Sequence, residues 1–320
     1  MSYGAGPAPP PQAKRYGPVL AWTALFLGGL ALASLATPLI YAALLELLPA
    51  TRWPFSRVFN RTAMVIAVLL LVVLRRQFEW TALRALLRSQ TAGEAAIDLL
   101  AGLGAALIGV ALAVGGAFAL DLLGAAASSY DFFAVRTATA LAGGVAAALA
   151  EETFFRGLML TALASSVGFR AAAIASSGAY ALVHLLVSDP TLGRQGYTLG
   201  AGFAYFGHAI GRQLEPASVP PLIGLFLCGL VLAVAVRRTR SLYLAIGLHA
   251  GWAFAFQVLR HATRPLVEIP GHSSLATHHF LVGTLWAWAA VILSGALALA
   301  WCALPGSRAT LAPANGRRGS

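Results

Sequence analysis

Two adjacent glutamates, Glu151 and Glu152, lie inside an apolar run, with Arg156 one turn further on. A charged residue at the centre of a bilayer costs roughly 2.5–3.5 kcal/mol on insertion scales, so this cluster needs partners or a task. Residues four apart share a helix face. Gly143, Ala147 and Glu151 form one row; Gly144, Ala148, Glu152 and Arg156 form the next. Small residues admit a neighbouring helix, which turns both carboxylates into a bundle rather than toward lipid. Glu152 precedes Arg156 by four positions, the favourable order for an ion pair. That pair neutralises Glu152 and leaves Glu151 as the free carboxylate, suited to general-base work.

Histidine supplies the second group. Two of the seven histidines fall in strongly apolar runs: His184 in Tyr180-Ala-Leu-Val-His184, and His249 in Gly247-Leu-His249-Ala-Gly-Trp252. The other five, His208, His261, His272, His278 and His279, fall in loops or at span ends and read as surface or interfacial residues. At about 1.5 Å per helical residue, Glu151 lies about 21 Å in from Ser165, His184 about 21 Å in from Arg170, and His249 about 14 Å in from Arg240. Three separate helices therefore bring these groups to similar depth.

The elements that must position them are membrane spans. Of 320 residues, 59% are hydrophobic and 10% charged, against roughly 25% charged in a soluble domain. The mean hydropathy is +0.77. These figures exclude disorder, collagen-like repeats and disulfide scaffolds. The chain reads as an all-α, polytopic transmembrane helix bundle of about eight spans: 18–48, 61–75, 95–120, 136–165, 170–188, 219–236, 241–259 and 280–304. The first is long enough to tilt or break near Pro38. Gln77 to Ser89 is amphipathic and reads as an interfacial helix, and 189–218 as a long loop with a short re-entrant helix around 197–210. In domain terms, 1–16 is a disordered cytoplasmic tail and 17–135 holds the N-terminal transmembrane helices. Residues 136–260 form the core, 261–304 a loop and the last span, and 305–320 a second disordered cytoplasmic tail.

Basic residues number 22 against 11 acidic, and all but Lys14 are arginine. With both termini in the cytoplasm, 13 basic residues fall on the cytoplasmic side and 8 opposite, which sets that orientation. The net charge of +11 thus reflects a membrane surface, and the arginine runs lack the aromatic interleaving of a nucleic-acid binder. Cys228 and Cys302, both in apolar runs, read as small packing residues, with neither a disulfide framework nor a thiolate metal site.

The pattern Glu151-Glu152-x-x-x-Arg156, then an aromatic-x-x-x-His, then a His in a late helix, resembles the CAAX protease and bacteriocin-processing (CPBP or Abi) family, which includes the type II CAAX prenyl endopeptidases. The stretches Glu-Glu-Thr-Phe-Phe-Arg-Gly and Ala-Ile-Gly-Leu-His-Ala-Gly-Trp strengthen the likeness, which covers about Ala140 to Phe256. The resemblance implies an intramembrane endopeptidase in which Glu151 and His184 activate a water. His249, with an Asn four residues on, would stabilise the oxyanion. Tyr180 stands where the family usually has Phe, and Ala253 where it has that Asn. The only asparagines here, Asn60 and Asn315, cannot substitute, so Gln257 and the Trp252 indole are the candidate replacements. The family has also been read as metal-dependent, and Glu151, His184 and His249 would make a His₂Glu zinc set. The chain lacks the His-Glu-x-x-His spacing of a zinc-protease helix, so a glutamate-activated water with no cofactor is the preferred reading.

The implied substrate is a membrane-embedded or lipid-anchored protein, the implied medium a lipid bilayer, with no nucleic acid. The implied location is a bacterial inner (plasma) membrane. The missing Asn keeps open a non-catalytic scaffold of the same fold that binds membrane peptides. A transporter would string buried acids along a path, whereas here the deep acids cluster at one point.

Overall fold

The computed structural model describes residues 12–48, 53–73, 80–126, 130–185, 198–266 and 282–304, with side chains from Gly17 except at 130–133. They form helices α1 (Gln12–Leu47), α2 (Phe55–Val73), α3 (Trp80–Leu87), α4 (Ala92–Ala119) and α5 (Tyr130–Glu152). A π-helical segment, Thr153–Leu160, leads into α6 (Thr161–Val167) and α7 (Phe169–His184). Then come α8 (Ala201–Gln213), a 3₁₀ turn, α9 (Val219–Thr239), α10 (Tyr243–Ala262) and α11 (Leu285–Ala303). The chain is a polytopic helical membrane protein. Among the described residues, α1, α2, α4, α9 and α11 are long and apolar enough to cross a bilayer. The other three expected spans contain α5, α7 and α10, which carry the polar cluster. One exception to the all-α reading is a small antiparallel pair, β1 (Leu123–Ala125) with β2 (Thr263–Pro265), in which Leu123 faces Pro265.

The helices fall into two compact units. In the first, α1, α2, α6 and α8 pack around an aromatic core. Tyr41 meets Phe55 edge-on at 5.4 Å, and Phe59 lies 4.7 Å from Tyr205 between ring centroids. The Tyr41 hydroxyl donates to the Trp53 carbonyl at 2.8 Å. Of the two expectations for this long span, tilt or break, α1 does not break: it runs unbroken through Pro18 and Pro38. Pro38 has no N–H to give the Ser34 carbonyl. That carbonyl is the atom against which Gly202 of α8 closes, leaving no room for a Cβ. A neighbouring helix thus covers the defect in the ladder, as apolar surroundings require.

The second unit is built on α10, which packs against α4, α5 and α9, with α11 on α4 and α9. Gly102 of α4 and Gly247 of α10 face each other's backbones, so these two helices cross at main-chain contact. On the other side, a Cβ at Gly144 of α5 would sit 3.3 Å from the Ala250 carbonyl. These close approaches bring α5 and α10 near enough for their polar side chains to meet.

Several boundaries differ from the expectation. Residues 12–16, assigned to a disordered tail, are helical, while 1–11 and 305–320 lie outside the described residues. Helix α2 starts at Phe55 rather than 61, directly after Pro54, whose carbonyl accepts from the Arg57 N–H at 3.0 Å. Arg57, Asn60 and Arg61 hid this turn from an apolar-run reading, although Phe55, Val58 and Phe59 are buried. Within the expected loop 189–218, α8 covers 201–213, and 186–197 lie outside the described residues. The run 136–165 is not one α-helix but α5, the π segment and α6.

Candidate active site

Helix α5 delivers both glutamates in its last turn, and its two small-residue rows have different environments. Gly144, Ala148 and Glu152 are buried, whereas Gly143 is exposed and Ala147 intermediate. The Glu152 side chain is 0% exposed and that of Glu151 31%. One carboxylate is therefore sealed in the bundle, and the other is partly exposed, although its Oε2 is buried.

The sealed carboxylate is the hub. Arg156 donates from Nη1 to Glu152 Oε1 at 3.0 Å and from Nη2 to the Gly229 carbonyl of α9 at 3.1 Å. Its guanidinium lies 4.6 Å over the Tyr180 ring, a cation–π contact in a fully buried site. The same Oε1 lies 2.8 Å from His249 Nδ1 on α10. Glu152 is thus neutralised from one side and orients an imidazole from the other. The sequence reading paired Glu152 with Arg156 but missed His249, because 97 residues separate the two partners. The buried π segment begins immediately after Glu152 and contains Arg156. Widened turns of this kind recur at functional sites.

The open carboxylate faces both histidines. Glu151 Oε2 is 3.1 Å from His184 Nε2 and 3.7 Å from His249 Nε2. The nearer contact is not aligned as a hydrogen bond, and Glu151 Oε2 has no hydrogen-bond partner among the described residues. His184 Nδ1 is 2.8 Å from the Tyr180 carbonyl. A carbonyl only accepts, so Nδ1 carries the hydrogen and neutral His184 presents a bare Nε2 to Glu151. Two acceptors then face each other, and a proton or a donor must lie between them. Tyr180 also walls the site, with its ring 4.1 Å from that of His184 and 5.9 Å, edge-on, from that of His249.

All five candidates, Glu151, Glu152, Arg156, His184 and His249, are brought together in this one unit. The proposed replacements for the missing Asn are not. The Trp252 indole donates to Ser294 of α11 at 3.1 Å, and Gln257 is exposed. The Trp252 side chain is held on the α11 side of α10 by this bond, while Gln257, one turn beyond Ala253, faces outward rather than into the cluster. Ala253 lies at the α5 contact, 3.4 Å from where a Cβ on Gly144 would be. Glu151, His184 and His249 carry zinc-type donors, and an acceptor holds each imidazole's Nδ1. Yet no three such donors among the described residues are grouped closely enough to hold a metal ion.

No curated protein and no solved structure matches the chain. Residues 133–255, the segment that holds the whole cluster, match the family described as Type II CAAX prenyl endopeptidase Rce1-like.

Proposed function

We propose that the chain is an intramembrane endopeptidase that hydrolyses a peptide bond of a membrane-embedded or lipid-anchored protein. The observation that carries this reading is the approach of His184 Nε2 and His249 Nε2 to one oxygen of Glu151, at 3.1 and 3.7 Å. A water donating one hydrogen to Glu151 and the other to His184 satisfies both bare acceptors. Glu151 takes its proton as the water oxygen bonds to the scissile carbonyl carbon, and the carbonyl π electrons move onto oxygen. His249 gives its Nδ1–H to Glu152; with a second proton taken up at Nε2 from solvent before the attack, it donates an Nε2–H hydrogen bond to the oxyanion and keeps that proton when the intermediate collapses. The pairing resembles a carboxylate that orients a catalytic imidazole. Collapse of the tetrahedral intermediate breaks the C–N bond, and the proton held by Glu151 passes to the leaving amine. Arg156 touches no reacting atom and acts as a positioning residue for Glu152. The steps above use only the acid–base groups of Glu151, His184 and His249.

The test compares membrane-protein fragments by terminal sequencing in the native cell, wild type against Glu151→Gln. Cleavage sites that vanish in the variant support proteolysis. Identical fragment sets, with the variant at normal abundance, turn the assignment to the second reading. That second reading is a non-catalytic binder of membrane peptides, favoured by Ala253, because neither Trp252 nor Gln257 supplies the second oxyanion donor. One oxyanion donor is worth about 10²–10³ in kcat where measured, so Ala253→Asn raises cleavage by up to that factor if the rest of the site is competent. Single-turnover cleavage of a fragment site identified above checks this.

A further inference from the structure

The strongest feature outside the site is a cluster of arginines at one edge of the second unit. Arg84 and Arg88 belong to α3 and the turn after it, and Arg237, Arg238 and Arg240 to the end of α9 and its cap; all five are exposed. The two segments are far apart in sequence but stitched together. The Tyr243 hydroxyl donates to the Leu87 carbonyl at 2.9 Å, and the Ser241 hydroxyl to Gln90 Oε1 at 3.1 Å. Leu83 of α3 is buried, and a Cβ on Gly157 would meet its side chain at 2.5 Å and that of Leu242 at 3.4 Å. The arginines therefore sit on a fixed frame.

The acids near this edge are already committed. Glu94 accepts from the Thr91 N–H at 2.7 Å, capping α4, and buried Asp98 accepts from Gln90 and from the Trp301 indole. Among the described residues, Arg84, Arg88, Arg238 and Arg240 make no ion pair with a carboxylate. Four such arginines, beside a short amphipathic helix that buries one leucine, fit the level of lipid headgroups. Guanidinium forks match phosphate oxygens in geometry and charge. We propose that this edge is a binding site for the phosphate headgroups of anionic phospholipids, with α3 and the α9–α10 turn as its two jaws. A bias that only orients the chain needs the charges anywhere on one side, whereas a headgroup site needs both jaws.

The test uses the full chain in nanodiscs of equal phosphatidylglycerol and phosphatidylcholine, with lipids that stay bound on release counted by native mass spectrometry. The wild type retains phosphatidylglycerol preferentially. Arg84→Gln/Arg88→Gln and Arg238→Gln/Arg240→Gln each leave the other jaw's charges in place, and each lowers that preference roughly tenfold at low salt. Equal retention of the two lipids by the wild type, or an unchanged preference in both paired variants, overturns the proposal. Should a pair fail to fold, the salt series on the wild type decides. Preference lost between low and high salt supports the site; preference unchanged by salt overturns it.

Discussion

The two units of this chain solve the same packing problem with opposite materials. Around α1, α2 and α8, the interior is aromatic and aliphatic: Tyr41, Phe55, Phe59 and Tyr205, with the Tyr41 hydroxyl bonded to a backbone carbonyl. Around α5 and α10, the interior includes Glu152 and Arg156 at 0% exposure, with His249 at 6%. Both regions rely on glycine where backbones meet, Gly202 in one and Gly102 and Gly247 in the other. Among the described residues, only the second buries charge. Buried ion pairs are weak evidence of stabilisation, because desolvation offsets most of the Coulomb gain. A charged cluster kept in such a place therefore points to function, while the aromatic core points to packing.

That contrast breaks or sharpens under substitution. The largest effect belongs to Glu151→Gln and His184→Ala, each of which lowers cleavage by about 10²-fold or more, since each removes an acid–base group. Abundance stays near wild type because Glu151 is 31% exposed and strands no partner when neutralised. Full cleavage by both variants at normal abundance would remove the proteolytic reading. Arg156→Ala comes next: it leaves Glu152 buried without its cation and costs about 3–5 kcal/mol. A drop in thermal unfolding temperature in detergent reports it, and an unchanged temperature would mean that Glu152 is held by His249 alone. In the other unit, Phe59→Ala costs about 3 kcal/mol of stability. Cleavage per folded molecule does not change, a separation that unfolding and activity measured on one preparation reveal. The smallest effect is Tyr41→Phe, which deletes one hydrogen bond worth about 1 kcal/mol and shifts unfolding only slightly. A large loss of cleavage from Phe59→Ala or Tyr41→Phe would dissolve the distinction between the two regions.

Much of the site was legible because its signals are local. The i, i+4 spacing gives the Glu152–Arg156 pair, but small residues precede both glutamates and so did not separate the buried row from the partly exposed one. The Tyr180–His184 spacing also contains the backbone bond that fixes the imidazole, a local signal the sequence reading left unused. The rest lay beyond the sequence because it depends on which helices are neighbours. Nothing near Glu152 announces His249, and nothing near Trp252 announces Ser294. Apolar-run analysis also overlooked the start of α2, where charged residues interrupt a turn whose other face is buried.

By itself, the sequence determined the class of the molecule, a polytopic helical membrane protein, through apolar runs of bilayer length. It determined which residues could do chemistry, because charge inside those runs is costly and rare. Only the tertiary structure decided how the two glutamates divide their work. The α5–α10 approach puts Glu152 against both Arg156 and His249 and leaves Glu151 open to His184. That division comes from where two helices touch, and helix contact is a property of three-dimensional packing that no local spacing encodes.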